Sequence, residues 1–167
     1  MILFTQNKIG GVVIMDITLS QKERMLLEDQ KNHEKICIDK YTNYASQAQD
    51  SQLKQIFNAN GQVERTHLDS INQLLSGNIP QMNQQQNQGS TTSTTNTQTS
   101  GANLSDADMC TDLLMTEKYV SGAYDTAIFE FRDTRARDVL NHIQKEEQKH
   151  GEAIFQYMES KGMYNVQ

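Results

Sequence analysis

The chain has 167 residues, 36% hydrophobic and 22% charged, with a formal net charge of -6. This length suits one domain, and the acidic balance gives no support to a nucleic-acid partner. A mean hydropathy of -0.70 means that the apolar residues must be concentrated in a few patterned segments.

Residues 1–14 include the apolar run Ile9-Gly10-Gly11-Val12-Val13-Ile14, too short to span a bilayer and without a signal-peptide cleavage pattern. They read as an over-extended translation start or a strand-like tail, with Met15 a second start, and an N-terminal extension is set at 1–19. From Ser20 a first helix is predicted, opened by the capping-box pattern Ser20-Gln21-Lys22-Glu23. At about 100° per residue, Leu27, Gln30, Glu34, Cys37, Ile38, Tyr41, Tyr44, Ala45 and Ala48 share a face. Glu34 falls in the middle of that face, where a solvated carboxylate is not expected. After a short turn, with Asp50 or Ser51 as cap, a second helix carries Leu53, Ile56, Phe57, Asn60, Val63, Glu64, His67, Leu68, Ile71, Leu74 and Leu75 on one stripe. Ser76-Gly77-Asn78 ends it, and Pro80 forbids its continuation. These two helices form the first hairpin, 20–76.

Residues 77–104 are dominated by Gln, Asn, Ser, Thr and Gly, a composition that cannot bury enough surface to offset its ordering entropy. They read as a disordered crossover linker. A second hairpin is predicted over 105–161, followed by a tail at 162–167. Its first helix starts at Ser105 and carries Met109, Leu113, Glu117, Val120, Tyr124, Ala127, Ile128 and Phe131; Asp133-Thr134 marks the turn. Its second, from about Arg135 to Ser160, carries Ala136, Val139, Leu140, Ile143, Glu147, His150, Ile154, Tyr157 and Met158. Glu146 and Glu152 fall at or beyond the edge of that stripe. One proline and no tryptophan suit such long helices. Cys37 and Cys110 form neither a CxxC pair nor a secreted framework, and both read as buried reduced thiols.

Two Glu-x-x-His motifs stand out: Glu64 to His67, and Glu147 to His150. Each follows another glutamate by thirty positions, Glu34 and Glu117, and the two sets are offset by 83 residues. The offset also pairs Asp29 with Asp112, Tyr41 with Tyr124, Asp50 with Asp133 and Ile71 with Ile154, as an internal repeat would. Side chains three apart on a helix project from one face, so Glu and His can both reach one cation, and a glutamate from the neighbouring helix completes the shell. The candidate ligand set is Glu34, Glu64, His67, Glu117, Glu147 and His150, which is the set known from ferritin-like dimetal carboxylate proteins. It suits two divalent ions, iron or manganese before zinc. The alternative is a hydrogen-bonded polar seam inherited from a metal-binding ancestor that now fixes only helix register. Tyr41 and Tyr124, seven residues after Glu34 and Glu117, read as core aromatics with one hydroxyl partner in preference to redox-active phenols. His33 and His142 read as surface residues, and Phe129 points away from the core. No catalytic residue is assigned.

The second half carries a more specific signal in Glu117-Lys118-Tyr119-Val120-Ser121-Gly122-Ala123-Tyr124-Asp125-Thr126-Ala127-Ile128-Phe129-Glu130, in Leu140 to Glu152, and in Lys161-Gly162-Met163-Tyr164. These stretches resemble the coat F domain of endospore-forming bacteria. The resemblance implies a ferritin-like bundle, placement in the spore coat after synthesis in the mother-cell cytoplasm, and other coat proteins as partners. The expected fold is all-α, an up-down four-helix bundle of two hairpins joined by the crossover. The expected function is a structural coat component with a candidate dimetal site; the alternative is a dimetal oxidoreductase acting on hydrogen peroxide or dioxygen. Lack of CxxC pairs favours a catalase-like over a rubrerythrin-like cycle within that alternative. No membrane partner is expected, and self-association into a homo-oligomer stays open.

Overall fold

The computed structural model describes residues 8–9, 12–13, 16–81 and 104–166. Among the described residues four helices make up the fold: α1 (Gln21–Gln47), α2 (Ser51–Leu75), α3 (Asp106–Glu130) and α4 (Thr134–Ser160). Near the N-terminus, β1 (Lys8–Ile9) and β2 (Val12–Val13) pair antiparallel, as a strand-like tail would. The crossover expected over 77–104 lies outside the described residues from 82 to 103.

Local chemistry sets each helix boundary. The Ser20 hydroxyl accepts from the Glu23 amide, while the Glu23 carboxylate accepts from the Ser20 amide at 2.7 Å. Ser105 and Asp108 make the same reciprocal pair at the start of α3. Asp50 and Asp133 cap α2 and α4 through their side chains, each at 2.8 Å from an amide two residues on. Gly77 and Gly162, at φ 79° and 69°, take the left-handed conformation that closes α2 and α4. The 83-residue offset carries the end of α1 onto that of α3 and the start of α2 onto that of α4.

Contacts between the ends establish the direction of each helix. Asp106 at the start of α3 accepts from the amides of Gln49 and Asp50 in the α1–α2 turn. Arg132, in the α3–α4 turn, instead meets Glu23 at the start of α1. So α3 begins at the far end of the bundle from the last turn of α2, and the connection between them must travel the bundle's length, about 37 Å for 25 residues. The packed pairs are α1 with α2, α3 with α4, α1 with α3, and α2 with α4, and each pair runs antiparallel.

The predicted stripes form the interior, all buried but for Tyr44, Ile56, Val63, Leu68, Leu75 and Ile128, which are half-buried. Burial of Cys110 and Leu114 widens the α3 face beyond its predicted stripe, and both cysteines are free and buried. One boundary differs from expectation. Ile17, placed in an N-terminal extension, is buried in the core, and its amide donates to the Gly77 carbonyl at 3.1 Å. An apolar residue ahead of a helix can cover the open end of a bundle without any helical period to reveal it. The core is in two parts. One cluster holds Leu27, Ile71, Val120, Phe131 and Ile143, the other Tyr41, Phe57, Met109, Leu113 and Ile154.

Candidate metal centre

A polar group is buried along with these two apolar clusters, with one carboxylate from each helix. Glu34, Glu64, His67, Glu117, Glu147 and His150 are all at most 4% exposed. Their ligand atoms fall into two overlapping groups, Glu34-Glu64-His67-Glu147 and Glu64-Glu117-Glu147-His150, each with all atoms within 4.8 Å of one another. All six candidate residues are therefore brought together. Glu64 and Glu147 belong to both groups, Glu34 and Glu117 to one each.

The contacts explain that sharing. Glu64 places Oε2 at 2.9 Å from His67 Nδ1 and Oε1 at 3.2 Å from His150 Nδ1. Glu147 does the same from the opposite side, with Oε1 at 3.2 Å from His67 Nδ1 and Oε2 at 3.6 Å from His150 Nδ1. Glu34 lies 3.7 Å from His67 Nδ1, and Glu117 lies 3.6 Å from His150 Nδ1. The two imidazoles are stacked at 5.7 Å between centroids.

Most of these approaches are not hydrogen bonds. Glu34 Oε2, Glu64 Oε1, Glu117 Oε2, both Glu147 oxygens and His150 Nδ1 are buried without a hydrogen-bond partner. Buried polar atoms without partners cost about 1–3 kcal/mol each. Six such atoms gathered into two adjoining groups are an arrangement that bound cations would satisfy. Donor atoms held by an ion at ~2.0–2.1 Å stand about 3.0–3.4 Å apart, close to the separations here. The residues fit the group: hard carboxylates with imidazole suit divalent iron, manganese or zinc.

Protons stabilise the metal-free cluster. Burial pushes the Glu34 carboxyl up to about 8, against the pull of His67. Burial likewise raises Glu117 well above the ordinary carboxyl range. In Glu64 and Glu147 burial is outweighed by the attraction of both histidines, so both stay below that range. Burial works against the charged form of His67, but Glu146, Glu147, Glu34 and Glu64 together raise it well above the usual imidazole value. Against the same penalty, Glu117, Glu147 and Glu64 raise His150 to about 11. At neutral pH the cluster holds two carboxylates, two carboxylic acids and two imidazoliums, which is electrically balanced.

Each tyrosine reaches across to the other hairpin. The Tyr41 hydroxyl donates to Glu117 Oε1, and the Tyr124 hydroxyl donates to Glu34 Oε1. Both are core aromatics with a hydroxyl partner, as expected, and in each case the partner is a carboxylate of the cluster. The bond occupies one oxygen and leaves the other, Oε2, facing inward without a partner. Asn60 donates to the Tyr41 hydroxyl at 3.2 Å and fixes it further.

Sequence reasoning missed one contributor. Glu146 places Oε2 at 3.6 Å from His67 Nε2, on the side of the ring away from the cluster. Attraction to the protonated His67 outweighs the cost of burial and holds its carboxyl near 2. The only signal available was its place at the edge of the α4 stripe, one residue before Glu147. His142 is exposed, as expected, whereas His33 is half-buried against the Tyr119 ring, with 5.5 Å between centroids.

Fold and site together define an all-α bundle of two hairpins with a buried carboxylate–histidine cluster at its centre. Residues 105–167 match the family model of the Coat F domain. The second hairpin with its tail is thus similar to the Coat F domain, in agreement with the resemblance read from Glu117 to Tyr164. Neither the curated proteins nor the solved structures compared with the chain include a match. Among the described residues no helix is long and apolar enough to cross a membrane.

Proposed function

We propose that the protein is a structural component of the bacterial endospore coat. In this reading it is made in the mother-cell cytoplasm, assembled through contacts with other coat proteins, and built on a duplicated hairpin of ferritin-like type. The Coat F domain over 105–167 carries the proposal. Further support comes from the outer face of α3, where Met115, Tyr119 and Phe129 are 65%, 66% and 83% exposed within one helical stripe. An aligned apolar stripe is suited to burial against a partner. Fractionation of purified spores with an antibody to the chain tests this reading. Recovery in the coat fraction is expected; presence only in vegetative cells would refute it.

The cluster is proposed as a dimetal carboxylate centre. Glu64 and Glu147 would be shared between two divalent ions, Glu34 with His67 would complete one position, and Glu117 with His150 the other. The partnerless oxygens favour this over a purely hydrogen-bonded seam. They also favour the second reading, a dimetal oxidoreductase acting on hydrogen peroxide or dioxygen. Iron or manganese there would supply redox chemistry. The chain's own part would be to surround the centre with the two apolar clusters and to orient Glu34 and Glu117 through the Tyr124 and Tyr41 hydroxyls. Dioxygen release from hydrogen peroxide by the metal-loaded protein checks this reading, and a rate no higher than that of the free ion would remove it.

A further inference from the structure

A groove of about 490 Å³ opens between α3 and α4. Glu117 and Glu147 are among its lining residues, so its floor adjoins the cluster. Its walls include Leu114, Phe155 and Tyr164, the last two packed edge to face at 5.0 Å between centroids. Glu117 Oε2 and both Glu147 oxygens lie buried beneath its floor without hydrogen-bond partners, while Lys118, Gln148 and Glu152 are exposed around it.

Two small residues on the lining, Ser121 and Gly151, keep the space open. A Cβ at Gly151 would meet only Leu114 Cδ1, at 3.7 Å, an ordinary contact. Glycine there is not required by a tight helix crossing; what it provides is room. The first hairpin makes the comparison. Shifted by 83 positions, Ser121 and Gly151 correspond to Ile38 and Leu68, while Leu114 and Phe155 correspond to Lys31 and Asn72. Ile38 is buried and Leu68 half-buried. Branched aliphatic side chains therefore stand in α1 and α2 where α3 and α4 leave a gap. The apolar walls are also a property of the second hairpin alone.

Size identifies the kind of occupant. A water molecule, and by extension a peroxide, needs about 30 Å³ or a small multiple of it. This groove is more than ten times the water value and falls within the range of small-molecule sites, about 300–1,000 Å³. We infer that the groove is a ligand subsite of the centre, taking a small organic molecule with a flat apolar body and an oxygen-bearing head directed at Glu117 and Glu147. The inference rests on the metal reading, because an oxygen head is repelled by the ionised Glu147 and attracted by the ion that Glu117 and Glu147 would hold.

The test uses the full chain loaded with Co²⁺, whose visible spectrum reports ligand binding. Benzohydroxamate probes the groove, and azide, too short to fill it, probes the centre alone. Gly151→Leu and Ser121→Ile place the first hairpin's residues in the gap. Each is expected to weaken benzohydroxamate binding at least tenfold while azide affinity changes less than twofold. If Gly151→Leu does not fold, Ser121→Ile carries the comparison. Unchanged benzohydroxamate affinity in a folded variant overturns the inference, and so does equal loss of both probes. Failure of the wild-type chain to take up Co²⁺ overturns the metal reading itself, and the subsite with it.

Discussion

Adding a divalent ion to the metal-free protein at pH 7 perturbs four protons. Glu34, raised to about 8, and Glu117, raised well above its ordinary value, are carboxylic acids at that pH. His67 and His150, the latter raised to about 11, are imidazoliums. Glu64 and Glu147 are already ionised. A metal ligand must be deprotonated, so filling both positions releases about four protons per chain, about two for each ion. With two protons competing against each ion, apparent affinity weakens about a hundredfold for each unit fall in pH below 7. Above pH 8 the Glu34 proton is already gone in the free protein, so release falls to about three. Stopped-flow mixing with Mn²⁺ or Co²⁺ in weak buffer with a pH indicator, alongside affinity measured from pH 6 to 9, gives both quantities. Saturable binding with less than about one proton per ion, or affinity independent of pH, would refute the assignment of protons and with it the electrostatics of the cluster.

The same groups dictate how the metal-free fold responds to pH. Glu34, Glu117, His67 and His150 hold protons more tightly when folded, so stability drops as pH rises from about 5 to 9, by about 1.4 kcal/mol per unit for each titrating group. Glu23 and Glu146, both held near 2, act oppositely: their contribution is present above the ordinary carboxyl value and lost as pH falls toward 2. Thermal melts of the metal-free protein should therefore peak near pH 5, and a flat profile to pH 9 contradicts this. Tyr124→Phe removes the hydroxyl that donates to Glu34, and metal affinity measured by titration should fall about 10- to 100-fold. Tyr44→Phe, whose hydroxyl bonds Asp112 instead, should leave metal affinity unchanged. Two helical glycines should behave oppositely in chemical denaturation. A Cβ at Gly61 would meet Tyr41 Cβ at 3.0 Å, so Gly61→Ala should cost about 1–3 kcal/mol through overpacking. A Cβ at Gly122 would meet nothing within 4 Å, so Gly122→Ala should add up to about 1 kcal/mol from helix propensity.

Periodicity made the helices legible because each buries one stripe and ends on recognisable chemistry, as at Ser20 with Glu23 and at Asp133. The six cluster residues were legible for a different reason. A carboxylate at the middle of an apolar stripe has to be satisfied by something, and Glu34, Glu64, Glu117 and Glu147 all sit there. What could not be read was anything that depends on which helix lies beside which. Tyr41 bonds to Glu117 and Tyr124 to Glu34 because α1 packs antiparallel to α3, and a stripe does not name its neighbour. The approach of Glu146 to His67 has the same origin in the α2–α4 pairing. Ile17 was hidden because a residue closing a bundle's end belongs to no period. The groove was hidden because it is produced by missing side chains, at Ser121 and Gly151, where sequence patterns record only what is present.

Metal content of the chain, purified under reducing, chelator-free conditions and then titrated with Fe²⁺ or Mn²⁺, tests the central claim most directly. A centre of two four-residue groups sharing Glu64 and Glu147 predicts about two ions per chain, with a rise in melting temperature as they bind. Less than about one ion per chain at saturation, with no shift in melting, would contradict it and leave the cluster as a proton-balanced polar seam.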